Sequence, residues 1–109
     1  MGLTKTEIFT EEQNKLAIML KALAHPARIA ILQEIINANA CICGDLSTEL
    51  GLAQATISQH LKELKNAGLI KGTIEGVSVC YCINPETWTM LKNELSSFLN
   101  TVGSPNSCC

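Results

Sequence analysis

The sequence predicts an α+β fold that is mainly helical, and two observations carry this prediction. Apolar residues recur at intervals of three and four over most of the chain, as they do on one face of a helix. Alternation of large apolar residues is confined to one stretch, residues 77–83, and is typical of a strand. One domain with an aliphatic core is expected, because the chain has 109 residues, of which 47% are hydrophobic and 4% aromatic.

Two helices are predicted first. One extends from residue 10 to residue 24, because Leu16 and Leu20 lie on one face and Thr10 precedes two acidic residues that suit a helix start. Pro26 then interrupts the pattern and fits the first turn of a second helix. That helix continues through the apolar residues of 29–36.

A short strand and two more helices follow. Residues 40–43 are apolar but too few for a helix. Asp45 is placed to cap a short helix over residues 46–50. After a turn at residues 51–53, a longer helix ends at Gly68.

The last third of the chain predicts a hairpin and one more helix. Ile74 precedes a turn at Glu75-Gly76, and the alternating residues of 77–83 follow it. Asn84-Pro85 starts the final helix, whose apolar face contains Trp88, Leu91, Leu95, Phe98 and Leu99. We therefore expect a single domain over residues 1–102 and a flexible, cysteine-containing tail over residues 103–109.

The cellular location is predicted from what the chain lacks. Residues 1–10 contain charges and no apolar stretch, so they do not form a signal peptide. No apolar run approaches the roughly 20 residues that cross a bilayer. We expect a cytoplasmic protein with no membrane partner, in which the six cysteines stay reduced.

The two helices that flank residues 51–53 are joined by a short turn with glycine, which is the helix-turn-helix signature. With the hairpin behind them, they predict a winged helix-turn-helix, whose second helix lies in the DNA major groove. Its polar residues are the candidate DNA contacts, with glutamine suited to adenine and lysine to phosphate: Gln54, Thr56, Ser58, Gln59, His60, Lys62 and Lys65. The alternative interpretation is an ordinary amphipathic helix whose polar face only contacts solvent. The hairpin that directly follows the helix argues against this alternative.

The net charge of −2 is unusual for a protein that binds nucleic acid. Its distribution partly answers this objection, because Lys62, Lys65 and Lys71 stand against a single acid, Glu63, between residues 54 and 73. A local basic face on an acidic protein can still meet phosphate.

Four ordered motifs point to a family: Leu23-Ala24-His25-Pro26-Ala27-Arg28-Ile29, Gly44-Asp45-Leu46, Ser58-Gln59-His60-Leu61-Lys62 and Ala67-Gly68-Leu69-Ile70. Together they resemble the ArsR/SmtB family of metal-responsive bacterial repressors, over roughly residues 10 to 99. The resemblance implies a homodimer formed by flanking N- and C-terminal dimerisation helices. It also implies that the ligand-free dimer occupies double-stranded operator DNA and that an inducer releases it.

The apolar faces of the first and last helices agree with dimerisation. Leu16, Leu20 and Leu23 on one and Trp88 to Phe98 on the other exceed what one small core covers, and large apolar patches rarely stay exposed. The alternative is that both faces belong to the core of one chain. Two departures from the family pattern concern the wing, where residues 73–77 carry no positive charge, and the last helix, which lacks the histidines of the family's zinc site.

The six cysteines form three pairs, Cys41/Cys43, Cys80/Cys82 and Cys108/Cys109. Buried cysteine packs as a small hydrophobe, but six in 109 residues suggest a further role. In a winged helix the short strand pairs with the second hairpin strand, so the first two pairs are neighbours. Cysteines two apart share a strand face, and together they offer up to four thiolates to a soft ion.

The resemblance implies an inducer for these thiolates. Family members that sense arsenite, antimonite, cadmium or lead often use cysteines just before the helix-turn-helix, although Gly44 here separates Cys43 from Asp45. We expect arsenite or antimonite to bind three thiolates drawn mainly from Cys41, Cys43, Cys80 and Cys82, with Cys108 and Cys109 as second choice. Cadmium, lead and zinc are alternatives, and no cofactor is required. His25 is expected to cap a helix rather than bind metal, and His60 to lie on the surface or contact DNA.

Three other functions are alternatives for such a sequence. The same repressor can use its cysteines as a redox or persulfide switch. A thiol enzyme needs an activated cysteine, usually in a C-x-x-C motif or near a basic helix start, and neither occurs, so we expect no enzyme activity. A metal storage protein would leave the helix-turn-helix unexplained.

Overall fold

The computed structural model describes residues 8–38, 41–44, 50–73 and 80–103. Its elements are the helices α1 (Glu11–Leu23), α2 (Pro26–Ala38), α3 (Gln54–Asn66) and α4 (Pro85–Asn100) and the strands β1 (Ile42–Cys43), β2 (Ile70–Thr73) and β3 (Cys80–Ile83). They confirm the mainly helical α+β prediction and its order within these residues. The predicted helix at residues 46–50 lies, except for residue 50, outside the described residues, as do the hairpin turn at Glu75-Gly76 and the tail from residue 104 onward.

Local hydrogen bonds fix where α1 and α2 begin. Thr10 and Gln13 form a reciprocal capping box, in which the Gln13 amide donates to Thr10 Oγ1 (3.1 Å) and the Thr10 amide donates to Gln13 Oε1 (2.9 Å). The Ala27 amide donates to Nδ1 of His25 (3.0 Å), directly before Pro26 in the first turn of α2. The prediction that His25 caps a helix is therefore confirmed.

The three strands form an antiparallel sheet in the order β1-β3-β2. Ile42 of β1 lies opposite Tyr81 of β3, and Ile70 of β2 lies opposite Ile83. The first hairpin strand begins at Ile70, a buried residue that joins the strand to the core. Tyr81 is fully buried and turns one face of the sheet towards the helices.

The core joins the sheet to all four helices among the described residues. Its most deeply buried side chains are Ile31, Ile35, Leu64, Leu69, Ile70 and Tyr81. The indole Nε1 of Trp88 donates to the Leu69 carbonyl (2.9 Å), which also accepts from the Asn84 amide (3.0 Å). These two hydrogen bonds hold the start of α4 against Leu69, the residue directly before β2.

The outer ends of the first and last helices keep large apolar side chains in solvent. Ile8 and Phe9 precede α1, while Phe98 and Leu99 are 59% and 58% exposed near the end of α4. Between the two helices lies an open apolar groove of about 460 Å³, lined by Leu23, Trp88, Thr89, Leu91, Lys92 and Leu95. One chain therefore leaves part of both predicted apolar faces uncovered.

No single helix of the described residues is long and apolar enough to cross a membrane. The pair α1 and α2 meets a length and composition criterion together, but its axes are bent by 88° at the junction.

We predict that Gly72→Ala destabilises the fold by about 3 kcal/mol, because backbone strain of this kind costs 1–3 kcal/mol and a steric clash adds to it. Gly72 has a φ of 133°, and an added Cβ would lie 2.8 Å from Tyr81 Cα and overlap the Cys80 carbonyl. Urea unfolding monitored by circular dichroism gives the free energy of unfolding.

Gly51→Ala is the matched control, because its φ is 68° and nothing lies within 4 Å of the added Cβ. It isolates the cost of a left-handed backbone, about 1 kcal/mol. If the two variants lose the same free energy of unfolding, the close approach of strand β3 to Gly72 does not contribute to the destabilisation.

Candidate nucleic-acid interface and cysteine cluster

Helix α3 has one buried face and one solvent face. Ile57, Leu61 and Leu64 are at most 3% exposed and hold the helix against the core. The predicted DNA contacts Gln54, Thr56, Gln59, Lys62 and Lys65 are exposed, and Ser58 is half-buried. The Gln59 amide donates to Glu63 Oε1 (3.2 Å), which orients it one turn before the single acid of the helix.

His60 does not share this exposure. It is only 9% exposed, and its Nδ1 accepts a hydrogen bond from Arg28 Nε (3.1 Å). Its ring lies 4.5 Å from the ring of His25, measured between centroids. This burial contradicts the interpretation of His60 as a surface residue that contacts DNA. The sequence carried a signal, because position 60 falls between Ile57 and Leu64 on the apolar face.

Arg28 is a residue whose role the sequence analysis missed. Besides its bond to His60, its Nη1 donates to the Ala22 carbonyl (3.3 Å) near the end of α1. The guanidinium thereby links α1, α2 and α3 at one point. Burial lowers the pKa of His60, and the nearby His25 and Arg28 lower it further, against an opposing effect of Glu63. Neutral His60 is the form that accepts the Arg28 hydrogen bond.

Four of the six cysteines meet on the outer face of the sheet. Cys43 lies opposite Cys80 in the strand register, and the structure joins them as a disulfide with a Cα–Cα distance of 4.0 Å. A second disulfide joins Cys41 to Cys82, with a Cα–Cα distance of 4.3 Å. The predicted pairing of the short strand with the second hairpin strand is confirmed.

Both cysteine pairs point the same way, which the sequence alone left open. Tyr81, between Cys80 and Cys82, faces the core and is fully buried. Cys41 and Cys43 are exposed, while Cys80 and Cys82 are half-buried. All four sulfur atoms therefore lie on the side of the sheet that faces away from the core.

As disulfides, Cys41, Cys43, Cys80 and Cys82 present no thiolate to a metal ion. Within residues 8–38, 41–44, 50–73 and 80–103, no group of three or more histidine, cysteine or acidic side chains is arranged to hold a metal ion. Reduction would free four thiols on one face, two opposed pairs without a histidine or carboxylate on their strands. Cys108 and Cys109 lie outside the described residues.

The comparisons with known proteins agree on one kind of molecule. Residues 25–71 match the model of the bacterial regulatory protein, arsR family. The HTH-type transcriptional regulator CmtR of Mycobacterium tuberculosis is 31% identical over 96 residues, which are 88% of this chain and 80% of that protein. The HTH-type transcriptional repressor SmtB of the same species is 41% identical over 63 residues, which cover 58% of this chain and 46% of SmtB.

A solved structure shows the same architecture. HlyU from Vibrio cholerae N16961 superposes with a TM-score of 0.63 at 28% identity, covering 87% of this chain and 98% of HlyU. The likeness extends over nearly the whole described chain rather than the helix-turn-helix alone.

We predict that stability falls as the pH is lowered through the usual range of histidine titration. The pKa of His60 is depressed in the folded chain, so the unfolded chain binds more protons below the ordinary histidine value of about 6.5. The free energy of unfolding therefore decreases from the unfolded pKa down to the native one. Urea titrations between about pH 7.5 and pH 5 measure this slope.

His60→Gln is expected to flatten the slope while its amide oxygen still accepts from Arg28. His25→Asn keeps a residue that can cap the helix and should reduce the slope only in part, because it removes His25 as one cause of the lowered His60 pKa and leaves burial, the largest cause, in place. A His60→Gln protein with the wild-type slope would assign the pH dependence to other groups.

Proposed function

This chain belongs to the ArsR family of bacterial regulatory proteins and has its winged helix-turn-helix fold; from that premise we propose that it is a homodimeric repressor released from operator DNA by a thiophilic ligand. The family and its relatives are DNA-binding transcriptional regulators rather than enzymes. We place the protein in the cytoplasm, with the operator as its partner, and it needs no cofactor to bind DNA.

The proposed DNA contacts lie on the solvent face of α3. Gln54, Thr56 and Gln59 occupy the first half of the helix, where a major-groove helix meets base edges. Lys62 and Lys65 follow in its second half and suit backbone phosphates. We leave His60 out of this set, because its ring contacts Arg28 and His25.

The proposed dimer uses the outer parts of the first and last helices. Phe98, Leu99 and Val102 are between 58% and 76% exposed, which a purely intramolecular core does not explain. The apolar groove between α1 and α4 continues this surface. A second copy of the chain would cover both and set two recognition helices about one DNA turn apart.

The single observation that carries the proposed sensor is the common face of Cys41, Cys43, Cys80 and Cys82. When reduced, directly opposed side chains have Cβ atoms about 4.5–5.5 Å apart, close enough for one soft ion to take three sulfur ligands. Arsenite or antimonite is our first choice of inducer, and cadmium, lead and zinc follow. Release requires only that ligand binding weaken DNA binding by a coupling free energy of about 1–3 kcal/mol.

A second candidate function is a redox switch built from the same cysteines. The specific observation that favours it is that both opposed pairs already form disulfides across the strands. Oxidation would then change operator affinity without any ligand.

Operator contacts are tested by substitution on α3. We predict that Gln59→Ala weakens operator binding by about 1–3 kcal/mol, because it removes a group suited to a base edge. Lys65→Ala should reduce by about one the slope of the logarithm of the binding constant against the logarithm of the salt concentration, because one phosphate contact is lost. Fluorescence anisotropy of a labelled fragment from the protein's own upstream region measures both. Gln33→Ala, at an exposed position of α2, is the control and should bind as the unchanged protein does.

If Gln59→Ala and Lys65→Ala both leave affinity and salt dependence unchanged, α3 is not the surface that meets DNA. If reduced protein fails to bind the fragment at any salt concentration, the repressor proposal itself is wrong.

The sensor is tested on fully reduced protein. We predict that Cys41→Ser with Cys43→Ser leaves operator binding intact and abolishes release by arsenite, because at most two thiolates remain on the face. Cys108→Ser with Cys109→Ser is the control and should respond as before. Release that survives loss of Cys41 and Cys43 refutes the assignment.

The same assay separates the two candidates. Release of reduced protein by arsenite supports the ligand sensor. Release by hydroperoxide alone, reversed by a thiol reductant, supports the redox switch.

A further inference from the structure

The outer face of the sheet contains two side-chain rows that run across the strands. In one row, Lys71 of β2 lies opposite Cys82 of β3, which is joined to Cys41. In the other row, Thr73 lies opposite Cys80, which is joined to Cys43. Both rows lie on the same face of the sheet. They differ chiefly in the β2 residue beside the β3 cysteine, which is a lysine in one row and a threonine in the other.

That difference is one of charge. Opposed residues on adjacent antiparallel strands place their Cβ atoms about 4.5–5.5 Å apart, so the Lys71 side chain shares its side of the sheet with Cys82. An ammonium group beside a thiol favours the thiolate, which is the nucleophilic form. Thr73 offers Cys80 a hydroxyl and no charge, and Lys71 is the only charged residue within β1, β2 and β3.

We propose that Lys71 makes Cys82 the first thiol of the cluster to react with a hydroperoxide, and that Cys41 completes the reaction as the resolving thiol. This inference rests on the redox form of the proposed function. Lys71 acts as a positioning residue, since it changes the charge around Cys82 without exchanging a bond with it.

The chemistry balances in two steps. The Cys82 thiolate attacks one peroxide oxygen, the O–O bond breaks, and Cys82 becomes a sulfenic acid while the other oxygen leaves as hydroxide or alkoxide. The Cys41 thiol then attacks the Cys82 sulfur, and the sulfenic oxygen leaves as water, giving the Cys41–Cys82 disulfide. The peroxide is reduced by two electrons that the two sulfurs supply. A second hydroperoxide oxidises Cys80 and Cys43 later by the same route.

The structure favours rapid completion once Cys82 has reacted. Cys41 is exposed, Cys82 is half-buried, and their Cα atoms are 4.3 Å apart. The resolving step is therefore intramolecular and needs no change of strand pairing. The Cys43–Cys80 row has the same advantage, so the first step decides which pair oxidises first.

The test compares the two rows directly. With both tail cysteines changed to serine, one variant keeps only Cys41 and Cys82 and the other only Cys43 and Cys80. Each is reduced, treated with hydrogen peroxide, and followed by counting free thiols over time. We expect the pair beside Lys71 to oxidise about threefold faster or more, because the ammonium group raises the thiolate fraction of Cys82 and Thr73 gives Cys80 no such charge.

An exchange of the two neighbours is the decisive variant. Lys71→Thr with Thr73→Lys keeps the composition and changes only exposed positions, and it should reverse the order of the two pairs. Lys71→Arg should preserve the original order, because arginine keeps the positive charge beside Cys82. In a Cys41→Ser protein, a sulfenic acid trap should label Cys82.

Equal rates for the two pairs, or an order that the exchange leaves unchanged, would overturn the inference. These rates are measured without DNA. Failure of oxidation to release the operator would count against the redox function alone, and the reversed order would still establish the role of Lys71.

Discussion

The central position of β3 is the constraint on which the rest of the structure depends. It pairs with β1 on one edge and β2 on the other, so its alternation is fixed on both sides. Burial of Tyr81 decides the register, since a slip of one residue would turn the aromatic ring outward and the cysteines inward. The same register places Cys80 and Cys82 beside Cys43 and Cys41 and places Lys71 beside Cys82. A packing requirement in the core thus arranges the chemistry of the outer face.

A second fastening holds α3 in place by polar contacts. Arg28 contacts His60 and the Ala22 carbonyl, and His25 caps α2 beside the same ring. Apolar packing through Ile57 resists separation of the helix from the core, but it is less specific about rotation around the helix axis. Directional hydrogen bonds from a rigid guanidinium supply that specificity. Because the polar solvent face of α3 is the proposed DNA surface, its rotation decides which side chains point at the groove.

The sequence predicted those features that local patterns determine. Apolar spacing located the helices, Pro26 located the break between α1 and α2, and alternation located β3. The side of the sheet that bears the cysteines depended on which residues are buried, and this required the tertiary fold. His60 was misinterpreted for a related reason, since a polar residue within an apolar stripe is assigned by its partner, and Arg28 lies 32 positions away.

In the proposed sensor, the sheet offers one route from the cysteines to α3. The sulfur atoms face outward, whereas Tyr81 on β3 and Ile70 on the neighbouring β2 reach the core to which α3 contributes Leu64. Cys43, which forms a disulfide with Cys80 across the two strands, lies eleven residues before α3 begins at Gln54. Close-packed cores do not deform continuously, so a change of strand spacing is passed on as a shift of whole elements. The position of the cluster, immediately before the helix-turn-helix and across from the hairpin, therefore suits a sensor that acts on helix orientation rather than on the DNA contacts themselves.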